Sequence, residues 1–396
     1  AILAQAFLFR RLSPPVKTKF SMAPAGYEPL GTMKAWGSRG SGCEMLELPL
    51  PRTKPGNCVV RVSSVGLNPT DWKHVGNNLH YYTMTKATVE NPVVLGSEGS
   101  GTIEAIPEGE TSFQVGQKVW FMAHKACAEL VEVKNEHMAT APSQMSMEEA
   151  GSTPLALLTA YQSMKDAGYS EPGSGKGKRI LVHAGAGGVG HFALQLAKIY
   201  QFDEIVTTCS SANADFVKSM GATSMVDYKA EDFVTKYAND KFDVVVDPVG
   251  GEPVGCCCAA SNALSQYIPR SRKVTKPGGA VIGILTGSTL QGAPCGAIAS
   301  ICCSCLPALC AYKCSHAVGL GPKYVGPFFL RVKEAGVDLT KLSDWVNRKM
   351  LRTEIAEVYS FADAPKALSS LEEGGGHNAQ KSKSKAFRGK IVVNVS

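Results

Sequence analysis

A glycine-rich turn between an apolar run and a helical run is the feature that most restricts the fold of this chain. Gly185, Gly187 and Gly190 form a G-x-G-x-x-G pattern, which follows the apolar run 179–183 and opens the helical run 191–200. In this setting the first glycine permits a tight turn, and the second lets a pyrophosphate approach the backbone. The third lets the helix pack closely against the strand. The pattern therefore predicts a dinucleotide site at the start of the helix, where unpaired N–H groups attract phosphate.

The residues of this turn are the candidate pyrophosphate-binding residues. They are Gly185, Gly187, Gly188, Val189 and Gly190. The alternative interpretation is a glycine-rich turn that binds no ligand.

Strands and helices alternate around the turn. Further apolar, strand-like runs lie at 204–208, 225–228, 242–247 and 279–283, and a helical run lies at 213–220. Alternation at this rhythm predicts a parallel, doubly wound sheet. We therefore predict an α/β Rossmann domain over residues 161–328.

The first part of the chain has a different pattern, in which short β segments are separated by Gly, Pro and Asn turns. Evenly spaced short strands predict a partly closed β-rich domain over 31–160. The chain ends in an apolar strand, 389–395, which must pair with another strand, and the first domain is the expected partner. Because 396 residues exceed one ordinary core, we predict two domains, with 329–396 returning to the first.

The N-terminal residues 1–30 carry four basic residues before the first acidic residue, Glu28, beside an apolar stretch. This composition predicts an organelle-targeting leader or its remnant, with the mitochondrion as the expected destination and the plastid as the alternative. The formal net charge of +7 is a mild excess, and no basic run is interleaved with aromatic residues. The sequence therefore predicts no nucleic-acid partner.

The end of the second Rossmann strand selects between nicotinamide cofactors. NAD-specific sites usually place Asp or Glu there to bind the ribose hydroxyls. This chain instead reads Thr207-Thr-Cys-Ser-Ser211, without a carboxylate. Since an acidic side chain would repel a 2′-phosphate and small hydroxyls can donate to it, the sequence predicts NADPH as the cofactor.

Several motifs resemble the zinc-independent quinone oxidoreductases of the medium-chain dehydrogenase/reductase superfamily. The glycine turn is accompanied by motifs at 67–73, 94–101, 154–161 and 388–393, in the family's order. The resemblance covers nearly the whole chain after about residue 30. It implies a GroES-like catalytic domain beside the Rossmann domain and a quinone or α,β-unsaturated carbonyl (enone) as the small-molecule substrate.

The resemblance also implies the absence of a metal. Zinc-dependent relatives place a Cys where this chain has Asn68 and a His where it has Ser97, and neither replacement is a usual zinc ligand. In relatives, residues at the positions of Ser210, Ser211, Tyr228 and Lys229 contact the 2′-phosphate. This chain departs from the family at Asn213, where many members have a Lys.

The candidate catalytic residues are Asn68, Lys73, Tyr81 and Tyr82. Reduction of an enone develops negative charge on the carbonyl oxygen, which needs a donor, and the Asn68 amide or the Lys73 ammonium can supply one. Related enoyl reductases use a Tyr downstream of an Asn-Pro motif as proton donor, so Tyr81 or Tyr82 is a candidate. The alternatives are that Asn68 shapes the turn and that each Tyr only packs. For Asp71 we expect a place in a turn or an ion pair with a neighbouring Lys, with a general base as the alternative, and for His183 a buried, hydrogen-bonded place in the core.

An uncharged, cysteine-rich segment lies near 288–316, inside the predicted Rossmann domain. Three interpretations remain open. It can cap the substrate cleft or pack at a homodimer interface, it can contact a membrane surface or a large assembly, or its Cys302–Cys305 pair can hold a metal.

Two functions follow from these observations. The first is NADPH-dependent hydride transfer to a quinone or enone without metal. The alternative is a non-catalytic or weakly active nucleotide-binding subunit of an organelle assembly.

Overall fold

The computed structural model describes most of the chain after residue 30. The described ranges are 31–40, 42–76, 79–80, 85–249, 267–284, 316, 321–325, 330–374 and 388–396. The predicted leader and all of the cysteine-rich segment except His316 lie outside them.

The secondary-structure elements follow the two patterns of the sequence. The strands are β1 Thr32–Ser38, β2 Glu44–Pro49, β3 Asn57–Leu67, β4 Leu79–His80, β5 Thr85–Lys86, β6 Val93–Val94, β7 Glu98–Ala105, β8 Lys118–Met122, β9 Leu130–Lys134, β10 Met138–Thr140, β11 Arg179–Val182, β12 Glu204–Cys209, β13 Ser224–Asp227, β14 Phe242–Asp247, β15 Thr275–Gly283, β16 Lys323–Val325, β17 Ile355–Ser360 and β18 Lys390–Asn394. The α-helices are α1 Pro69–Gly76, α2 Met147–Ser152, α3 Pro154–Asp166, α4 Gly190–Ile199, α5 Ala214–Ser219, α6 Phe233–Lys236, α7 Tyr267–Lys273, α8 Ala335–Asn347 and α9 Ala364–Gly374.

The larger β-rich sheet comes from both ends of the chain. Its strand order is β10-β8-β7-β3-β18-β17, and β9 pairs with the far end of β3. The apolar strand β18 pairs antiparallel with β3 from Ile391 opposite Leu67 to Asn394 opposite Ser64. This pairing confirms that the terminal strand returns to the first domain. The remaining strands of this half form a small β2-β1-β6 sheet and the β4-β5 pair.

The second half of the fold is a parallel sheet of six described strands in the order β13-β12-β11-β14-β15-β16. Each neighbouring pair is parallel. Numbered from β11, the order is 3-2-1-4-5-6, the arrangement of a dinucleotide-binding doubly wound sheet. The predicted fold class, a Rossmann domain beside a β-rich GroES-like domain, is confirmed.

The sequence explains why strand gives way to helix at the glycine turn. β11 is a run of Ile180, Leu181 and Val182 that is fully buried, as expected for a central parallel strand with both faces covered. Nine of the ten residues of helix α4 are buried, all but Lys198, and the polar side chains of His191 and Gln195 among them are hydrogen-bonded inside the protein. The turn is thereby held between two rigid elements of the core.

Helix α8 links the two halves of the core. The indole of Trp345 lies edge-on to Tyr161 of α3 and to Tyr200 after α4, with ring centroids 6.1 Å and 6.2 Å apart. Aromatic pairs at this spacing add to the apolar burial. The predicted domain bounds at 160 and 329 therefore lie next to a core to which both halves of the protein contribute. The bounds themselves stay a prediction.

Candidate functional site

The glycine turn lies at the carboxyl edge of the parallel sheet, between β11 and α4. A Cβ at Gly185 would lie 2.1 Å from Thr207 Oγ1, and one at Gly190 would lie 2.1 Å from the Ala184 carbonyl oxygen. At Gly187 the nearest such atom is the same oxygen, at 3.2 Å. Gly185 and Gly190 are therefore required by the packing of the turn, whereas Gly187 leaves an open cradle beside the first N–H groups of α4. Of these, the His191 N–H already donates to the Gly187 carbonyl oxygen over 3.1 Å, and the Ala193 N–H donates to that of Val189 over 3.0 Å.

A buried hydrogen-bond chain supports the turn from below. Ala184 has a positive φ of 50°, and its N–H donates to Thr208 Oγ1 over 3.1 Å. The Thr208 hydroxyl can then donate to Nδ1 of His183 at 3.3 Å, which leaves Nε2–H to donate to Ser271 Oγ at 3.0 Å. Burial lowers the pKa of His183 to about 3, with Arg270 adding to the effect, so the ring stays neutral. The expected structural role of His183 is confirmed.

The four candidate 2′-phosphate residues lie together at the ends of β12 and β13. The register of these strands places Cys209 opposite Asp227, so Ser210 and Ser211 emerge beside Tyr228 and Lys229. Tyr228 is half-buried, while Ser211 and Lys229 are exposed. The fold thus provides hydroxyls and an ammonium at one edge of the sheet.

A carboxylate also lies at this edge of the sheet. It comes from the end of β13, whereas the prediction of the cofactor considered only the end of β12. Asp227 accepts the N–H of Ser211 at 3.2 Å and the N–H of Lys229 at 3.0 Å. The pKa of Asp227 is lowered, first by the Lys229 N–H, so the side chain is ionised. No acidic residue follows β12 directly, as predicted, but the end of β13 supplies one that the sequence did not lead us to expect.

A buried polar cluster of Asn68, Glu98 and Lys390 lies in the β-rich half. The amide of Asn68 donates to Glu98 Oε1 over 2.6 Å and to the Gly66 carbonyl oxygen over 3.3 Å. Lys390 Nζ donates to Asn68 Oδ1 and, over 3.0 Å, to Glu98 Oε1. The side chains of Lys390 and Glu98 are only 3% and 0% exposed. Such buried charges are retained only when paired and hydrogen-bonded, as they are here.

This cluster reaches the glycine turn through β18. The N–H of Gly389 donates to the Ala186 carbonyl oxygen over 2.9 Å, and a Cβ at Gly188 would lie 3.2 Å from Lys390 Cδ. Gly389 has a φ of 77°, and a Cβ there would lie 2.2 Å from the Glu354 carbonyl oxygen, so only glycine fits. The stem of Lys390 therefore packs against the turn while its ammonium lies in the Asn68 cluster.

Asp71 stabilises the turn that carries Asn68. Its carboxylate accepts the N–H of Asn68 at 2.7 Å and that of Gly96 at 2.9 Å. Burial raises the pKa of Asp71 to about 6, and the two N–H donors oppose that rise. Ser97, beside Gly96, is buried as well. The expected role of Asp71 in a turn is confirmed.

The remaining candidates are placed only in part. The backbone of Lys73 lies on α1, which begins directly after Asn68, but its side chain is not described. Tyr81 and Tyr82 lie outside the described residues. The fold brings Asn68 to the glycine turn, and it adds Glu98, Lys390 and Asp227, which sequence reasoning missed. A lysine inside the apolar run 389–395 was the one available signal for Lys390.

The described ranges contain neither a membrane-spanning helix nor a cluster of metal-binding side chains. Within them, no helix combines the length and apolarity required to cross a bilayer. No group of three or more His, Cys, Asp or Glu side chains there is arranged to hold a metal ion.

Two family models match the chain. The alcohol dehydrogenase GroES-like domain matches residues 54–168, and the zinc-binding dehydrogenase model matches residues 220–377. The matches fall on the β-rich half and on the later part of the chain, respectively.

Several relatives of the chain are named as oxidoreductases or reductases. The chain is 31% identical over 226 residues to a chloroplast envelope quinone oxidoreductase homologue of Arabidopsis thaliana, covering 55% of this chain and 67% of the relative. It is 31% identical over 273 residues to a 2-methylene-furan-3-one reductase of Solanum lycopersicum, covering 65% and 63%. The mitochondrial NAD(P)H oxidoreductase RTN4IP1 of Danio rerio is 27% identical over 354 residues, covering 86% and 84%.

Solved structures agree with this result. The quinone oxidoreductase of Coxiella burnetii superposes with a TM-score of 0.66 at 26% identity, covering 92% of this chain and 100% of that one. A mycobacterial protein complexed with NADPH shares the fold, with a TM-score of 0.66 at 21% identity, covering 92% and 100%. The family resemblance inferred from the motifs is confirmed: the chain belongs to the quinone oxidoreductase-like branch of the medium-chain dehydrogenase/reductase superfamily of oxidoreductases.

Proposed function

We propose that this protein transfers a hydride from NADPH to a quinone or an α,β-unsaturated carbonyl compound without a metal. The observation that carries the proposal is the meeting of the glycine turn with the Asn68–Glu98–Lys390 cluster of the other half, through the Gly389–Ala186 hydrogen bond of 2.9 Å. A dinucleotide held at the turn would lie against the polar wall of the β-rich half, as ligands do at the switch point of such sheets.

The residues present fit a dinucleotide. The open cradle at Gly187 and the start of α4 would hold the pyrophosphate, with Gly185, Gly188, Val189 and Gly190 shaping the turn. Ser210, Ser211, Tyr228 and Lys229 would hold the 2′-phosphate. Lys229 supplies the positive charge, which compensates for the Asn that occupies position 213.

NADPH, when bound, supplies the hydride. In the overall reaction, NADPH, a proton and the unsaturated acceptor give NADP⁺ and the reduced acceptor. Both N–H bonds of the Asn68 amide are used inside the protein, and Lys390 makes three hydrogen bonds, to Leu67 O, Asn68 Oδ1 and Glu98 Oε1. We therefore assign the proton to Lys73, Tyr81 or Tyr82 and give Asn68 the role of holding the wall of the cleft.

The cellular setting is part of the same proposal. The named relatives include mitochondrial and chloroplast proteins, and the basic residues 1–30 suit an organelle. We propose a mitochondrial location, with the plastid as the alternative, and a homodimer. The segment 288–316 would supply its contact with a partner copy, a membrane surface or a larger assembly.

The test measures binding and turnover with the purified chain. Titration of NADPH and NADH against tryptophan fluorescence gives the two dissociation constants. Loss of the reduced nicotinamide absorbance, with a p-benzoquinone and then a 2-alkenal as acceptor, gives turnover. We expect tighter binding of NADPH and turnover of at least one acceptor. Preference for NADH, or binding without turnover of either acceptor, would contradict the proposal.

Single substitutions test the proton donors. One of Lys73→Met, Tyr81→Phe and Tyr82→Phe is expected to lower kcat by about a hundredfold, the usual contribution of a general acid, with an unchanged Kd for NADPH. Tyr359→Phe on β17 is the matched control, because its hydroxyl bonds Glu357 on the same exposed strand. Wild-type kcat in all three variants would remove these residues from the mechanism.

A further inference from the structure

Asp227 joins the two chain segments that carry the candidate 2′-phosphate residues. One carboxylate oxygen accepts the Ser211 N–H from the β12 side, and the other accepts the Lys229 N–H from the β13 side. The carbonyl oxygen of Asp227 also accepts the N–H groups of Ala230 and Glu231, over 3.0 Å and 2.8 Å. A single residue thus fixes the turn that carries Tyr228 and Lys229 and ties it to Ser211.

A carboxylate in this position has two opposite effects on a bound cofactor. As a free anion it would repel a 2′-phosphate and accept the ribose hydroxyls, which favours NADH. As an acceptor for backbone N–H groups it would hold the donors of the 2′-phosphate site at a fixed separation. Here each carboxylate oxygen already accepts an N–H, and the lowered pKa of Asp227 has the Lys229 N–H as its first cause, with the Lys229 ammonium also contributing. The carboxylate is therefore engaged with the backbone of both segments, as the second effect requires.

We propose that Asp227 is a positioning residue for NADPH selectivity, holding Ser211 and Lys229 in the arrangement that receives the 2′-phosphate. This inference rests on the proposed function, because it assigns a role within the NADPH site. It also reverses the usual effect of an acidic residue near the adenosine ribose, which is to select NADH.

The test compares NADPH and NADH dissociation constants by calorimetry in the wild-type chain, Asp227→Ala and Asp227→Asn. Alanine removes both acceptor oxygens, so we expect NADPH to bind about tenfold more weakly, the equivalent of one charge-assisted hydrogen bond, with NADH unchanged. Asparagine keeps one acceptor oxygen, and we expect a smaller loss in the same direction. Thermal denaturation without cofactor checks that both variants fold.

Asp203→Ala is the matched control. Asp203 lies just before β12, at the opposite edge of the sheet, and its carboxylate likewise accepts a backbone N–H, from Gly177 over 3.0 Å. We expect this control to leave the ratio of the two dissociation constants unchanged.

The outcomes separate this inference from the proposed function. A wild-type preference for NADPH that is unchanged or increased in both Asp227 variants would overturn the positioning role alone. Increased preference would show that repulsion dominates. A wild-type preference for NADH would overturn the NADPH assignment and this inference together.

Discussion

Two titratable residues near the candidate site are fully buried, and burial disfavours the charged form of each. The pKa of His183 is lowered to about 3, whereas the pKa of Asp71 is raised to about 6. His183 is satisfied as a neutral ring between two hydroxyls, and Asp71 is satisfied by two N–H donors. At the scale of single residues, then, these buried polar groups hold the glycine turn and the turn that carries Asn68 in shape.

His183 makes stability depend on pH in a defined direction. Its folded pKa of about 3 lies below its ordinary value of 6.5, so its contribution is present above pH 6.5 and lost as the pH falls toward 3. Between pH 6.5 and about pH 5 we expect the wild type to lose roughly 1.5 kcal/mol more free energy of unfolding than His183→Asn. Urea denaturation at the two pH values measures this difference. Parallel losses in the two proteins would show that His183 does not titrate on unfolding.

The Lys390–Glu98 pair tests the buried cluster. Lys390→Met leaves the fully buried Glu98 without its cation, and we expect this to cost about 3–5 kcal/mol of unfolding free energy. In the double variant with Glu98→Gln we expect a cost smaller than the sum of the two single changes, since neither member of the pair is then charged. Lys54→Met is the control, because its pair with Glu132 is 64% and 27% exposed and should contribute less than about 1 kcal/mol. Additive costs in the double variant would contradict coupling between Lys390 and Glu98.

At the scale of elements, the glycine turn combines two requirements that the sequence pattern alone does not separate. Gly185 and Gly190 are fixed by contact with the protein itself, since a Cβ at either would lie 2.1 Å from a neighbouring atom. A Cβ at Gly187 would lie 3.2 Å from the Ala184 carbonyl oxygen, a tight contact that a shift of a few tenths of an ångström relieves, and that oxygen is the one neighbouring atom of the described residues within 4 Å. The same motif therefore contains two glycines that packing requires and one, Gly187, whose requirement we expect to come from the ligand.

Two alanine substitutions separate these requirements. Gly190→Ala is expected to destabilise the fold by about 1–3 kcal/mol, because its Cβ would overlap the Ala184 carbonyl. Gly187→Ala should change stability by less than about 1 kcal/mol yet weaken NADPH binding by more than about tenfold, because its methyl occupies the pyrophosphate cradle. Chemical denaturation and calorimetry measure the two effects. Unchanged NADPH affinity in Gly187→Ala would place the pyrophosphate elsewhere.

At the scale of the whole molecule, helix α4 is joined to the segment after α8 by one buried glutamine. Gln195 Nε2 donates to the Arg352 carbonyl oxygen over 3.0 Å, and Gln195 Oε1 accepts the Arg352 N–H at 2.8 Å. Its amide also donates to the His191 carbonyl oxygen over 3.0 Å. The helix that starts at the glycine turn is thereby joined to the chain that leads back to the β-rich sheet.

Loss of the hydrogen bonds between Gln195 and Arg352 should weaken the contact between the two halves of the protein. We expect Gln195→Ala to lower the free energy of unfolding by about 2 kcal/mol, because backbone groups of Arg352 lose their partners. Gln117→Ala is the matched control, since Gln117 also makes a donor and an acceptor bond, to Thr140 and Gln114, but both are solvent-exposed. Urea denaturation measures both variants. Equal losses of unfolding free energy in Gln195→Ala and Gln117→Ala would show that the contact between the two halves does not depend on Gln195.

The sequence by itself determined the features that depend on short-range chemistry. The glycine turn follows from steric limits within a few residues, and the parallel sheet follows from apolar runs that alternate with helices. The family motifs are also visible in short stretches of sequence. The apolar character of the terminal strand was enough to predict that it pairs with another strand, with the first domain as the expected partner. Asp71 and His183 were correctly expected to be structural, because each lies in a local setting typical of a turn or a buried strand.

Only the tertiary structure decided which polar groups meet. Lys390 lies 322 residues from Asn68 in the chain, and their contact depends on the register of β18 against β3. Asp227 meets Ser211 because β12 and β13 are neighbours in the sheet, although 16 residues separate them. A charge and its partner are fixed by the packing of distant strands, which no local pattern encodes, whereas the space a glycine needs is set by its immediate neighbours.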